Sequence, residues 1–512
     1  MATWLTSADV AVAKAATAAY PSTPPFHPPE VYPELAVLLR KQSDKSDRSD
    51  LSDTSNAVYP AVRAALLRLG GPASNPLEGI VQPGDTVVVK PNFIRECHET
   101  RTAEWEQVIT HGAVIRAVCD YVLLALAGRG KVIICDAPQT DSSFEAVCRV
   151  SGARAVVDWY ASWSPVPVGL LDLRTEEWEE KDTVIIRRRT LPGDPAGYVA
   201  VSLGAHSAFA GIEPRHGFYG ADYDTTVTTR HHHGDVHEYL LSATVMNADV
   251  VINLPKLKTH KKTGLTCALK NLVGINGDKN WLPHYMLGSR DEGGDQFPAG
   301  TVRARSERVL MTAIKKLLAR APAWLNHLFR PFKSGACVVW GDTHRVIRSG
   351  NWHGNDTTWR MVLDLNAAFF HCARPVGECR AKHGRASLNV SATATAQRRY
   401  LTLVDGIVAG EGDGPLAPDA KPCGIIIAGL NPVAVDTVAA WLMGFDPAKL
   451  RLLSGAWEAK AALCAFAPEA LTVASDVAAW CGPLTTLDPA TSFRFTPHFG
   501  WKGAIERQGD EP

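Results

Sequence analysis

Short apolar runs that end in polar residues, and that alternate with helical patterns, constrain the fold of this chain more than any other feature. Residues 85–90 (DTVVVK) and 131–135 (KVIIC) are such runs, and helical patterns follow them at about 108–127 and 143–151. Strands that alternate with helices predict right-handed β-α-β units in a parallel sheet. The sequence therefore predicts an α/β fold with mostly parallel sheets flanked by helices.

The same alternation returns in the second half of the chain. It predicts helices at 238–248, 265–273, 302–331, 356–372 and 433–443, strands at 250–254, 401–404 and 423–428, and a long polar loop at 274–300. Because 512 residues exceed what one core usually organises, we expect two lobes, about 57–235 and 236–480. Polar residues that follow the carboxyl ends of strands predict a ligand crevice there.

The two ends of the chain differ from this α/β region at 57–480. Residues 1–56 are predicted to be extended and partly disordered, because they contain a proline-rich stretch at 21–33 and a low-complexity Ser/Asp stretch at 42–56. Deletion of 42–56 is expected to change the stability by no more than about 1 kcal/mol. The aromatic tail at 481–512 is predicted to pack on the body.

Composition limits the partners that the chain can have. The 53 basic and 53 acidic residues give no net charge to attract nucleic acid or a membrane surface. No run reaches the roughly 20 apolar residues of a membrane helix, and no secretion signal is evident. We therefore expect a cytoplasmic protein with no nucleic-acid partner and no membrane insertion, whose oligomeric state the sequence leaves open.

The segment 253–285 (NLPKLKTHKKTGLTCALKNLVGINGDKNWLPHY) holds the densest cluster of cationic residues. Four lysines and His260 lie between Lys256 and Lys262, and no carboxylate lies among them. Such charges repel one another, and a bound anion would offset the repulsion. The N-terminus of the predicted helix at 265–273 adds a positive dipole. The segment therefore predicts a site for a small anionic ligand, with a solvated basic loop as the alternative.

The residues predicted to bind the anion are Lys90, Asn92, Lys256, Lys258, Lys270, Asn271, Asn276 and Lys279, and the predicted catalytic residues are His260, His284 and Asp278. Either histidine could move a proton near neutral pH. On this basis Lys258→Ala should weaken anion binding about tenfold or more without lowering the stability.

A divalent metal is a candidate cofactor. His233 and His237 are four residues apart, so a helix would place both on one face. A glycine-rich segment at 405–415 contributes Asp405 and Glu411, which could bind a metal or the hydroxyl groups of a ligand. That segment matches neither a Walker A loop nor a dinucleotide-binding motif. For the two histidines a substrate-binding or acid–base role is an alternative to metal binding. A structural role is the alternative for all four side chains.

Four longer segments, VVVKPNF (87–93), ADVVINLPKLKTH (248–260), TGLTCALKNLVG (263–274) and NPVAVD (431–436), together resemble the DUF362 family. The resemblance implies relatedness and leaves the reaction open. Some members of that family carry ferredoxin-type iron–sulfur segments, whereas the 11 cysteines here include no CxxC pair. An iron–sulfur cluster is therefore not expected in this chain.

These features favour an enzyme that acts on a small anionic metabolite, either phosphorylated or carboxylated, with sugars among the candidates. The alternatives are a non-catalytic protein that binds an anionic ligand and an iron–sulfur or redox accessory protein. A metal-dependent isomerase or racemase of hydroxy acids is a further hypothesis, because lysine, histidine and carboxylate residues are all present. The sequence does not decide whether the protein is catalytic.

Overall fold

The computed structural model of the chain describes residues 4–36, 38, 53–181, 184–222, 224–320, 346–374, 386–389 and 398–507. Its strands are β1 (Asp9–Lys14), β2 (Thr86–Pro91), β3 (Lys131–Asp136), β4 (Val168–Asp172), β5 (Glu176–Lys181), β6 (Val184–Thr190), β7 (Tyr198–Ser202), β8 (Phe218–Gly220), β9 (His232–His233), β10 (Val236–Ser242), β11 (Val250–Leu254), β12 (Lys256–His260), β13 (Gly264–Thr266), β14 (Pro283–Met286), β15 (Ala386–Asn389), β16 (Arg399–Asp413), β17 (Ala417–Gly429), β18 (Thr472–Ser475) and β19 (Gly482–Pro483).

The α-helices of the described residues are α1 (Val58–Arg68), α2 (Gly112–Leu126), α3 (Phe144–Val150), α4 (Ala153–Trp163), α5 (Thr225–His231), α6 (Ala243–Asn247), α7 (Ala268–Asn271), α8 (Val302–Arg320), α9 (Thr358–His371), α10 (Pro432–Met443) and α11 (Arg451–Trp457). None of these helices is long and apolar enough to cross a bilayer.

A large central sheet organises the molecule. Within the described part of the chain it has 11 strands, nine of them in the order β19-β18-β1-β17-β16-β11-β2-β3-β4, while β12 and β13 branch from β16. The five neighbours β16, β11, β2, β3 and β4 run parallel. This mostly parallel sheet with flanking helices confirms the predicted α/β fold class. Its strands come from both sides of residue 235, so that boundary does not separate two sheets.

Two apolar cores cover the two faces of the central sheet. Val87 and Val89 of β2 belong to the core that α1 and α2 cover, whereas Val88 belongs to the core that α9 and α10 cover. Successive side chains of a strand point to opposite faces, so an uninterrupted apolar run suits a strand that is buried on both sides. This is why the apolar runs in the sequence identified the central strands.

Three predicted elements are wrong. The expected helix at 265–273 is instead strand β13, the four-residue helix α7 and a 3-10 helix at Leu272–Ile275. The expected helix at 238–248 is instead strand β10 followed by the short helix α6, because Tyr239 and Leu241 are buried in alternation, the period of a strand. The glycine-rich segment predicted as a loop lies largely in β16, which pairs with β17 through Asp413. At Gly410 a Cβ would lie 2.8 Å from Cβ of Pro418, so this glycine permits close packing of the hairpin.

The segment before residue 57 contributes to the core. Strand β1 lies between β17 and β18, and its four central residues are buried. Residues 42–52 of the predicted dispensable stretch lie outside the described residues. Asn56 is buried, and its side-chain amide donates to the carbonyls of Phe26 (3.1 Å) and His27 (2.9 Å). Residue 56 is therefore part of the folded structure.

The end of the described chain packs against the segment that carries the lysine cluster. Trp501 is buried, and its indole N–H donates to the carbonyl of Lys261 at 2.8 Å. A Cβ on Gly264 would lie within 3.2 Å of the Trp501 ring, so the glycine allows this close approach. The aromatic tail thus supports the turn between β12 and β13.

Candidate functional site

A cavity of about 370 Å³ lies at the carboxyl ends of β2 and β3. Lys90 and Asn92 line it from the end of β2, and Asp136 lines it from the end of β3. The rest of the wall includes residues of the unusual segment: His260, Lys261, Lys262, Thr266, Lys270, Asn271, Lys279 and His284. The structure thus brings seven of the eleven predicted binding and catalytic residues to one cavity.

Cationic side chains outnumber acidic side chains in this wall. The cations are Lys90, Lys261, Lys262, Lys270, Lys279 and Arg348, and the acids are Asp136, Asp141 and Asp222. Some of these charges are already matched within the protein, as Lys90 and Asp136 show. The net excess of positive charge in a partly enclosed space favours an anion.

Lys90 and Asp136 form a buried ion pair with 2.8 Å between Nζ and Oδ1. The Asp136 carboxylate also accepts from the backbone N–H groups of Phe93 (2.7 Å) and Ala137 (2.8 Å). Gly274 lies against this pair, since a Cβ there would fall 1.9 Å from Oδ1 of Asp136. The ion pair forms a fixed part of the cavity wall. Other lysines of the wall are therefore the candidates for contact with a ligand.

Lys270 lies in α7 and faces the cavity, and its ammonium group has no hydrogen bond or ion pair with any residue that the structure describes. Burial, together with the positive charges of Lys279 and Lys90, lowers the pKa of Lys270 to about 7, against the opposing effect of Asp136. Lys270 is therefore close to half-protonated at neutral pH, and it is available to a ligand.

Lys279 and Asp222 form the opposite side of the wall. Nζ of Lys279 donates to the carbonyl of Ala137 at 2.7 Å, and burial lowers the pKa of this lysine to about 8. Burial raises the pKa of Asp222 to about 7, although the Thr140 hydroxyl lies 3.0 Å from both carboxylate oxygens. Asp222 was not predicted from the sequence, because no motif surrounds it.

The two predicted histidines take opposite tautomers. Nδ1 of His284 lies 2.9 Å from the carbonyl of Leu282, which can only accept, so Nδ1 carries the proton and Nε2 has a free lone pair. Nδ1 of His260 accepts from the N–H groups of Lys262 (3.1 Å) and Thr263 (3.2 Å), so Nε2 carries the proton there. Burial, followed by the nearby lysines, holds the pKa of both rings well below its usual range. The cavity therefore has one neutral donor and one neutral acceptor.

A chain of buried amides supports this wall. Nδ2 of Asn92 donates to Oδ1 of Asn271 at 3.0 Å, and Nδ2 of Asn271 donates to Oδ1 of Asn253 at 2.7 Å. Asn253 does not line the cavity, and sequence analysis missed it although it ends the apolar run at 250–254. The chain fixes the orientation of Asn92 and Asn271, which do line the cavity.

Asn276 and Asp278 were predicted for the site but do not line the cavity. Oδ1 of Asn276 accepts from the N–H of Leu240 at 2.9 Å, and its Nδ2 donates to the carbonyl of Asp278 at 2.6 Å. The Asp278 carboxylate accepts from the N–H of Asn280 at 2.9 Å and begins a short 3-10 turn. Both side chains hold the segment that presents Lys279.

Lys256 and Lys258 were also predicted for the site, and both are fully buried in β12 away from the cavity wall. Nζ of Lys256 lies 3.1 Å from Oδ2 of Asp405, which faces it across the sheet. Nζ of Lys258 donates to the carbonyl of Val108 and to Oδ1 of Asn92 (3.3 Å). Asp405 thus pairs with Lys256, and neutral acceptors bind the Lys258 ammonium group, so both of these lysines have partners within the protein.

The four predicted metal ligands do not form one cluster. Among the described residues, no group of three or more His, Cys, Asp or Glu side chains is placed to hold a metal ion. Asp405 pairs with Lys256, and Glu411 pairs with Lys421 at 3.1 Å. His233 is exposed, whereas His237 is buried against the Phe209 ring. The two carboxylates therefore have cationic partners within the protein. The helix that was expected to carry both histidines is instead the pair of strands β9 and β10.

Thr266 is a cavity residue that the prediction omitted. Its hydroxyl is buried and has no hydrogen-bond partner among the described residues, although it lines the cavity. A buried hydroxyl without a partner costs free energy, so a ligand atom at this position would gain a ready donor. Its place inside the predicted segment 253–285 was the available signal.

Comparison with known proteins gives a family and two more distant similarities. The family model described as "Domain of unknown function (DUF362)" matches residues 176–441. A thylakoid-associated protein of Synechocystis sp. is 26% identical over 254 residues, which cover 50% of this chain and 54% of that protein. A crystal structure of a Thermotoga maritima protein aligns with a TM-score of 0.31 and 10% identity, over 75% of this chain and 58% of that one. The chain thus spans about half the length of the curated relative.

Proposed function

This chain belongs to the DUF362 family, and from that premise we propose that it is an enzyme acting on a small anionic metabolite, phosphorylated or carboxylated, in the cavity between β2, β3 and α7. Sugars remain among the candidate metabolites. The residues proposed to hold the anionic group are Lys270 and Lys279, since a charge-assisted contact to a phosphate or carboxylate is worth roughly 1.5–3 kcal/mol.

The observation that carries the proposal is the placement of Lys270, which has no partner within the described ranges, beside two neutral histidines of opposite tautomer. The lysine supplies charge for an anion. Nε2 of His284 can accept a proton and Nε2–H of His260 can donate one, which is the pairing that general acid–base catalysis requires. A protein that only binds an anion needs the lysine and has no use for such a pair.

A panel of phosphorylated and carboxylated metabolites tests the binding half of the proposal by thermal shift. We expect at least one anion to raise the melting temperature of the wild type, more at low salt than at high salt. Lys270→Met should weaken the binding of that anion about tenfold or more. Lys502→Met, at an exposed lysine outside the cavity, is the matched control and should bind as the wild type does. Absence of any stabilising anion contradicts the proposal.

The catalytic half is tested with the metabolite that binds. Wild type is incubated with it, and mass spectrometry measures its consumption. His284→Gln should bind the metabolite within a few-fold of the wild type and convert it at least a hundredfold more slowly, since general acid–base catalysis typically contributes about 10²–10⁴-fold. Binding without conversion by the wild type would favour the non-catalytic alternative. Native mass spectrometry with metal analysis of the purified protein identifies a co-purified ligand.

A cytoplasmic location is part of the same proposal. Its support is that no helix of the described residues could span a bilayer. The name of the Synechocystis relative, a thylakoid-associated protein, points to the competing hypothesis of attachment to a membrane surface. Cell fractionation with a salt wash separates the two, because the cytoplasmic hypothesis expects the protein in the soluble fraction before the wash.

A further inference from the structure

The lysines that line the cavity differ in what holds them. Lys90 is paired with Asp136, and Lys279 donates to the carbonyl of Ala137. Lys270 has no such contact among the described residues, and it extends into the cavity beside these two fixed ammonium groups. A lysine that is desolvated beside other cations is the arrangement that makes an amine a nucleophile.

We infer that Lys270 forms a Schiff base with a small carbonyl compound that also carries a carboxylate or a phosphate. The inference rests on the proposed function and names its substrate class. The anionic group of the compound would contact Lys279, while its carbonyl carbon would meet Nζ of the neutral form of Lys270. The protonated form of Lys270 holds anions that lack a carbonyl group. The neighbouring histidines supply the two proton transfers that the addition requires.

The step balances with groups that the cavity contains and one proton from solvent. The lone pair of the neutral Lys270 amine attacks the carbonyl carbon, and the electrons of the C=O double bond move to oxygen. That oxygen takes the proton of His260 Nε2, while the attacking nitrogen loses a proton to Nε2 of His284. The hydroxyl group then takes a second proton, the one that Nε2 of His284 received, and leaves as water while the nitrogen lone pair forms the C=N bond. The product is a protonated imine, and solvent returns a proton to Nε2 of His260.

The charged surroundings of Lys270 favour the neutral amine that this attack needs. The titratable groups that act on it from the packed elements are Lys90 of β2, Asp136 of β3, Lys258 and His260 of β12, Lys279, and His284 of β14. Three are lysines, one is an acid already paired with Lys90, and both histidines are neutral. An ordinary exposed lysine would be protonated at neutral pH.

Borohydride trapping tests the inference with two probes. Pyruvate carries a carboxylate and pyridoxal 5′-phosphate carries a phosphate, and reduction of the imine leaves a stable adduct that peptide mass spectrometry assigns to one lysine. We expect one adduct per chain, on Lys270, for at least one probe. Its yield should rise through about pH 7, where Lys270 loses its proton, well below the ordinary lysine value of 10.5.

Lys270→Arg keeps a cation of similar length that stays protonated, so it should lower the adduct yield at least tenfold while keeping the fold. Lys502→Arg removes an exposed lysine and is the matched control. It should keep the full adduct yield at Lys270. Retention of the adduct in Lys270→Arg, or its even spread over surface lysines, overturns the inference.

Failure of the Schiff-base inference can be distinguished from failure of the proposed anion site. If anions raise the melting temperature but neither probe labels Lys270, the Schiff-base inference is wrong and the proposed anion site stands. If no anion raises the melting temperature either, both are wrong. Labelling by one probe alone supports the inference and identifies which anionic group the cavity accepts.

Discussion

Lys258 and Lys270 come from the same segment of the chain, and their ammonium groups have different surroundings. Lys258 is fully buried and donates to Val108 and Asn92, whereas Lys270 faces the cavity. Lys258→Met should therefore lower the free energy of unfolding by about 1–3 kcal/mol, because two buried acceptors lose their donor. Lys270→Met should not lower it, and near neutral pH should raise it, because the folded protein binds a proton at residue 270 less tightly than the unfolded chain does. Urea denaturation of both variants measures the difference.

This expectation reverses what the sequence suggested for Lys258, namely weaker anion binding at unchanged stability. A Lys258→Met protein that unfolds as the wild type does, yet no longer responds to anions, would show that this ammonium group reaches the ligand.

Gly274 is a second residue at which a small change should be costly. The Cβ of Gly274→Ala would collide with Asp136 and lie 2.7 Å from Nζ of Lys90. Breaking this buried ion pair should lower the free energy of unfolding by about 3–5 kcal/mol. Gly169→Ala in β4 is the control, because no atom lies within 4 Å of its Cβ, and it should be neutral or slightly stabilising. Thermal denaturation of the two variants tests the contrast.

The lowered pKa values of Lys270 (about 7) and Lys279 (about 8) predict how anion binding depends on pH. Both ammonium groups are charged at about pH 6 and largely neutral at about pH 9, so the stabilisation by a bound anion should fall across this range. Thermal shifts with phosphate or a bound metabolite at several pH values measure it. Lys270→Arg, which stays charged, should flatten the lower part of the profile.

Without ligand, the stability of the protein is expected to depend on pH in the opposite direction. Between about pH 7 and the ordinary lysine value of 10.5, the unfolded chain binds more protons at residue 270 than the folded chain does. The contribution of Lys270 to stability should therefore increase with pH in this window. A ligand-free stability difference between wild type and Lys270→Met that is constant across the window would contradict the lowered pKa.

At the scale of elements, α7 depends on a carboxylate from α10. Asp436 accepts from the N–H groups of Ala268 (2.6 Å) and Leu269 (3.0 Å), at the start of the short helix that presents Lys270. Asp436→Asn replaces one acceptor oxygen by a donor, so it should cost about 1–3 kcal/mol and weaken anion binding as well. Asp446→Asn, at the start of an exposed 3-10 turn, should cost little because asparagine caps as well as aspartate.

Both variants can be compared by urea denaturation and by the anion-induced thermal shift. Loss of anion binding in Asp436→Asn at unchanged stability would mean that Asp436 acts on the ligand itself. Equal effects of the two substitutions would mean that the position of α7 is unimportant.

The elements also show what sequence could predict. Strands β2, β3 and β11 were found because strands buried on both faces appear as continuous apolar runs. Strand β10 was mistaken for a helix, since alternate burial of Tyr239 and Leu241 is a weaker signal over a short segment. The long strand β16 was missed beyond residue 404, because its glycines are typical of loops.

The candidate site was partly predictable for a related reason. Charge and local spacing identified Lys270, His260 and His284, which line the cavity. They could not reveal that Asp405, far along the chain, neutralises Lys256. Likewise, Asp222 joins the wall only through tertiary packing, so no local pattern could find it.

At the scale of the whole molecule, the first strand of the chain completes the central sheet. Strand β1 joins β17 on one side and β18 on the other. A chain without residues 1–14 should leave both strands with unpaired edges and expose apolar surface, so we expect it to aggregate or to lose cooperative unfolding. Deletion of 42–52 should change the stability by no more than about 1 kcal/mol. Size-exclusion chromatography and thermal denaturation compare the two.

The position of β1 in the chain determines when the central sheet can be completed during synthesis. The ribosome releases β1 long before its partners Ile425–Gly429 and Thr472–Ser475, which lie far later in the chain. Throughout elongation the nascent polypeptide therefore carries an apolar segment that has no place to dock, which is the kind of exposed surface that chaperones shield. The central sheet can form completely only when β1 meets β17 and β18, so a translation product that stops before these strands cannot complete it.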